Sequence, residues 1–173
     1  MRLFPDPVLR EPAKPVGLVD EAVRKLIADM GETMRAAPGI GLAAPQVGIQ
    51  RRVLVYSLTE EDPITAVVDP EIVDRSGEQI DSEGCLSMPG ISYEVPRAQR
   101  VRVRGLGTNG EAIEIDAEDL EARVLQHEID HLDGILFIDR LSQELRREAM
   151  KTLREALLGT LPLGRSREPT ATI

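Results

Sequence analysis

The 173-residue chain has two histidines, His127 and His131, four positions apart in "QHEIDHLDG", with Glu128 directly after the first. Leu120, Val124, His127 and His131 are spaced four, three and four. That pattern puts all four side chains on one face of a helix. Leu120 and Val124 are apolar, so this face is expected to point inward, with the imidazoles one turn apart. Two inward histidines at i and i+4 can grip one metal ion. A glutamate beside the first is then placed to act as general base on a metal-bound water. The competing reading is two core histidines with satisfied hydrogen bonds. Their sharing of one face in the helix's C-terminal half favours the metal.

A catalytic metal site needs three protein ligands and one position open to water. Metalloproteases of the extended type read HExxHxxGxxH. Here the run is "HEIDHLDGILF": Gly134 fits, but Phe137 stands where the last histidine would be. Glu144 and Glu148 lie on a polar, basic stretch with no supporting motif. Cys85 remains, in "SEGCLSMPG". A lone cysteine is more often an inert buried residue. One thiolate with two imidazoles nevertheless suits Fe(II), Zn(II), Co(II) or Ni(II), and composition does not choose among them.

The elements that must position these residues read as one α+β domain over 1–160, followed by a flexible tail over 161–173. Asp20 caps a helix running to about Ala37, with Val23, Leu26, Ile27, Met30 and Met34 on one apolar face. "GIGLAAPQVG" (39–48) is a Gly-rich apolar loop, and "SEGCLSMPG" (82–90) a Gly/Pro-punctuated segment. Strands are expected at 51–58 and 64–74, and a hairpin at 100–116 turning at "TNG". Asp116 or Asp119 starts the histidine helix and Gly134 stops it. Ser142 caps a last helix with Leu145, Ala149, Leu153 and Leu157 at four-residue spacing. Small antiparallel sheets would thus pack around a central metal-binding helix, with an N-terminal and a C-terminal helix.

Hydrophobic residues make up 42% of the chain and aromatics 2%, so the core must be aliphatic. The net charge of −9 argues against a DNA-binding protein. Residues 1–139 carry 14 Lys/Arg against 26 Asp/Glu, and residues 140–173 carry 7 against 4, leaving a small basic arm on an acidic body. A single cysteine forms no disulfide within the chain and suits a reducing compartment. The first residues lack the apolar core of a secretory signal, and no apolar run reaches membrane-spanning length. A cytoplasmic protein with no membrane association is expected.

"GIGLAAPQ" (39–46), "EGCLS" (83–87) and "HEIDH" (127–131), in this order, resemble the three signature motifs of peptide deformylases. "VPRA" (95–98) and "HLDGILFIDRL" (131–141) fit the same pattern, and the resemblance runs from about Pro5 into the last helix. It implies removal of the formyl group from the N-terminal N-formylmethionine of newly made polypeptides, yielding formate and a free amine. It implies Cys85, His127 and His131 as ligands, with iron(II) as the usual ion and zinc, nickel or cobalt able to substitute. Glu128 would take the water's proton and pass it to the leaving amine. Gln46 and the backbone N–H of Leu86 would donate to the formyl oxygen. Ile40, Leu120 and Val124 are candidates for a methionine pocket. Gly39 and Gly41, on either side of Ile40, let the backbone approach the peptide. The peptide could pair as an added strand with 39–46 or 89–93. Glu83 and Arg97 are expected to form an ion pair that stiffens the cysteine loop. The basic arm could touch ribosomal RNA near nascent chains. Two other readings are a zinc endopeptidase, disfavoured by Phe137, and a non-catalytic metal sensor, disfavoured by Glu128.

Overall fold

Asp20 opens the first helix as expected. Its carboxylate accepts a hydrogen bond from Val23 N at 2.9 Å and caps α1 (Glu21–Ala36). The computed structural model describes residues 1–158, and the expected tail at 161–173 lies outside them. Val23, Ile27, Met30 and Met34 are buried along one side of α1, with Leu26 packed beside them.

That side covers one face of a five-stranded antiparallel sheet of order β1-β2-β3-β6-β7. Its strands are β1 (Gly41–Ala43), β2 (Val53–Tyr56), β3 (Thr65–Ser76), β6 (Arg100–Leu106) and β7 (Ala112–Glu118). In β2 the residues alternate between two cores. Val53 and Val55 meet α1, whereas Leu54 and Tyr56 join Val124, Leu125 and Ile129 of α2 (Asp119–Leu132) on the other face. A strand covered on both faces reads as a continuous apolar run, and "VLVY" is one. In β3 the register shifts between Val68 and Glu71. There Asp69 takes φ +51° and its carboxylate accepts from Val16 N and Gly17 N, both at 2.8 Å.

The Gly/Pro-punctuated segment over 82–90 is part of a hairpin. β4 (Gln79–Cys85) and β5 (Met88–Arg97) form a separate two-stranded sheet that turns at Leu86 and Ser87. Pro89, Gly90 and Pro96 hide it in the sequence. Proline is tolerated at sheet edges, and a two-stranded sheet consists only of edges. This hairpin packs through Cys85, Met88 and Val95 onto Leu136, Phe137 and Ile138, and onto Ala149 and Leu153 of α3 (Gln143–Leu157). Ser142 caps α3 by accepting from Leu145 N. Leu145 itself is exposed, so the apolar stripe of this helix is narrow.

The histidine helix α2 lies between the two sheets. Every residue from Ala122 to Leu132 is buried. Gly134 ends the helix at φ +73°, where a Cβ would stand 2.6 Å from the backbone oxygen of Arg10. Only glycine fits there. No helix among the described residues is long and apolar enough to cross a membrane. The architecture is the expected α+β arrangement of small antiparallel sheets around a central helix.

Candidate metal centre

Three elements converge on one buried point. The end of β4 brings Cys85, and α2 brings His127, Glu128 and His131. The short 3-10 turn Ala44–Val47 brings Gln46. Ligand-capable atoms of Cys85, His127 and His131 all lie within 4.8 Å of one another. Cys85 Sγ is 3.2 Å from His131 Nε2, and the imidazole centroids are 4.9 Å apart at 72°. Phe137, at the position an extended metalloprotease would fill with histidine, stacks on His127 at 6.2 Å.

The protonation pattern suits a cation. His127 Nδ1 is 3.0 Å from Glu83 Oε2. A carboxylate only accepts, so Nδ1 carries the proton and Nε2 presents its lone pair. That Nε2 is buried without a hydrogen-bond partner. Burial keeps His131 well below the usual imidazole range, in the neutral form that binds metals. Burial also pushes the Cys85 thiol up to about 12, against the pull of the Ser87 and Met88 backbone N–H groups. A thiol so raised is no free nucleophile, whereas a bound cation deprotonates it outright. One soft sulfur, the His131 imidazole and the orphaned Nε2 of His127 therefore fit a divalent transition metal.

Glu128 adjoins this group. Its carboxylate is fully buried and neither oxygen has a hydrogen-bond partner. Burial, joined by the charge of Glu83, pushes its pKa well up. Gly41 faces it directly, and a Cβ at Gly41 would collide with Glu128 Oε1. Gly39 sits in the same way against the side chain of Leu86. Gln46 is fully buried: its Oε1 accepts from Ala43 N at 2.7 Å, and its Nε2 lies 3.3 Å from Ser87 Oγ and 3.7 Å from Cys85 Sγ. The Ala43 bond fixes the amide so that its NH2 end, not its oxygen, faces the cysteine.

The expected ion pair is present and belongs to a larger network. Arg97 grips Glu83 with two bonds of 2.9 Å. Arg123 adds a third at 2.6 Å to the same carboxylate. Burial alone would raise the Glu83 pKa, but the hydrogen bonds from His127 and Arg97 hold it below the usual carboxylate range. Behind Arg97, Asp130 accepts at 2.5 Å and also pairs with Arg140 at 2.5 Å. Arg123 and Asp130 escaped the sequence reading. A signal existed for Arg123, which precedes His127 by one turn and so reaches the same carboxylate.

The helix face expected to point inward is not buried along its whole length. Leu120 is 41% exposed, and Val124 is fully buried against the five-stranded sheet. Val124 follows the expectation of an inward-pointing face and Leu120 does not, because α2 is enclosed on all sides only beyond its first turn. The spacing that aligns Leu120 with His127 therefore says nothing about depth. Leu120, in that first turn, is left open to solvent. Ile40 is half-buried and lines a cleft of about 490 Å³ with Met34, Pro38 and Leu58.

An α+β fold around a buried Cys-His-His group with an adjacent glutamate defines a protein with a candidate mononuclear metal centre. The family model described as polypeptide deformylase matches residues 1–147, and the chain belongs to that family. It is 52% identical over 157 residues to the peptide deformylase of Acidothermus cellulolyticus, covering 90% of this chain and 86% of that one. It is 48% identical over 155 residues to the peptide deformylase of Acidobacterium capsulatum, covering 88% and 91%. Among solved structures, a peptide deformylase from Legionella pneumophila matches with a TM-score of 0.86 at 43% identity, covering 94% and 98%. One from Ehrlichia chaffeensis in complex with actinonin matches with a TM-score of 0.85 at 40% identity, covering 90% and 95%.

Proposed function

We propose that this protein is a metal-dependent hydrolase that removes the formyl group from the N-terminal formylmethionine of new polypeptides and releases formate. The observation that carries the reading is the unpartnered carboxylate of Glu128, buried against the Cys85, His127 and His131 group. A purely structural metal site would fill its fourth position with another ligand.

Cys85, His127 and His131 would hold the ion, iron(II) in the cell, with zinc, nickel or cobalt able to replace it. When bound, the ion supplies Lewis acidity and lowers the pKa of a water. Glu128 takes the proton released as water adds to the formyl carbon. It delivers that proton to the amine nitrogen as the C–N bond breaks, so water and formamide become formate and amine. Gln46 Nε2 and the backbone N–H of Leu86 donate to the formyl oxygen as negative charge grows there. Ile40 walls the methionine pocket, with Gly41 beneath the peptide. Leu120 and Val124 complete the pocket from the start of α2, Leu120 from an exposed rim and Val124 as a buried wall.

The peptide adds as a strand to β1 or β5. Both are terminal strands with one edge unpaired by any named strand among the described residues. Residues 1–160 act as one domain in this reading, and the reaction belongs to the cytoplasm, where formylated chains arise. Arg146, Arg147 and Lys151 on α3 form the face that would meet the ribosome. Arg146 already pairs with Asp139 at 2.9 Å, which weakens that face. Neutralising the three is expected to lower co-sedimentation with ribosomes, and unchanged co-sedimentation would remove this partner.

The deciding experiment is formate release from formyl-Met-Ala-Ser under anaerobic conditions by iron(II)-loaded protein. Formate and free amine in equal amounts are expected. No formate from protein holding one metal per chain would overturn the reading.

A further inference from the structure

We propose that Ser87 is a positioning residue for catalysis, setting the direction of the Gln46 carboxamide. This rests on the reading of Gln46 as a donor to the formyl oxygen.

The carboxamide has two N–H donors and one oxygen. The oxygen is held by Ala43 N, 2.7 Å away. The nitrogen donates to Ser87 Oγ at 3.3 Å and, more weakly, to Cys85 Sγ at 3.7 Å. With one N–H held by Ser87, the other is directed at the Cys85 side of the ligand group, where its long contact to sulfur can give way to a stronger bond to oxygen. It is the only donor this side chain has for an oxygen reacting there. Without the serine oxygen the amide keeps one anchor and can twist about its terminal torsion, which is intrinsically broad.

Ser87 is itself immobilised. It is fully buried at the turn between β4 and β5. Its backbone N–H reaches the Cys85 sulfur, and its carbonyl accepts from Phe4 N at 2.9 Å. Two residues earlier, Arg2 N donates to the carbonyl of Gln46 at 2.6 Å. Residues 2–4 therefore tie the two turns together. The distance from the serine hydroxyl to the glutamine amide is set by backbone bonds on both sides.

The test has a structural and a kinetic arm. In the zinc-loaded chain, one of the two Gln46 side-chain amide protons, assigned by its absence in Gln46→Ala, is expected to exchange slowly with solvent. Ser87→Ala is expected to speed that exchange about tenfold, on the scale of one lost hydrogen bond. Ser87→Thr, which keeps the hydroxyl, retains the slow proton. In the iron-loaded enzyme, Ser87→Ala lowers kcat by about 3- to 10-fold with little change in KM. Added to Gln46→Ala it lowers kcat no further, because its effect runs through the amide. Unchanged exchange in Ser87→Ala, loss of the slow proton in Ser87→Thr, or losses that multiply in the double variant would each overturn the proposal. A wild-type enzyme releasing no formate, with the exchange result intact, would fell the deformylase reading but leave the Ser87–Gln46 coupling standing.

Discussion

Glu128→Gln is expected to lower kcat by about 10²- to 10⁴-fold, the range of positioned general acid–base catalysis. KM and metal content should stay near wild type. The substitution keeps the shape of a side chain that is fully buried and fills the space left by Gly41. What it removes is the group that accepts and returns a proton. The three ligand side chains are untouched, so one metal per chain should still bind. Steady-state kinetics with metal analysis on the same sample decides the matter. A variant within tenfold of wild type would mean that the proton moves by another route.

Glu83→Gln should damage stability and metal binding together. Glu83 receives Arg97 through two bonds and Arg123 through a third, and it fixes His127 Nδ1. Arg97 would still have Asp130, but Arg123 would be left in the core with only neutral partners, among them the Val95 carbonyl. Breaking a buried ion pair from one side costs about 3–5 kcal/mol. In a chain of this size that is a fall of roughly 6–20 °C in melting temperature. Removing the group that orients a ligating histidine weakens metal binding by about 10- to 100-fold. The stability gap between wild type and variant is expected to persist at neutral pH and to narrow only below about pH 4. The sign follows from a carboxyl pKa lowered in the folded state: its stabilisation is present above the unfolded value and fades as acid protonates it. Calorimetry of the metal-free chains and competition with a zinc chelator measure the two effects. A variant matching wild type in both would show that the arginines and His127 are held by other contacts.

Much of this protein was legible from local spacing. The four-residue step from His127 to His131 puts two imidazoles on one helical face wherever that helix lies. Asp20, Ser142 and Gly134 mark helix ends because capping depends on residues within a few positions of one another. The order of the three motifs carried the family, and with it the pairing of Cys85 with the histidines. Spacing alone left the third ligand open, and it lies 46 residues from His131 along the chain.

The tertiary structure decided what no single element contains. It made α2 a buried core rather than a helix with one inward face, and it left Leu120, on the same face as the histidines, in the open. It turned the proline-broken segment around Cys85 into a hairpin, since pairing with a partner strand outweighs local composition. It joined β4, β5 and α2 through Glu83, with Arg97 and Arg123 on one side and His127 on the other. Periodicity fixes directions within one element. Distances between elements come from packing across long separations in the chain, and the network around Glu83 exists only at those distances.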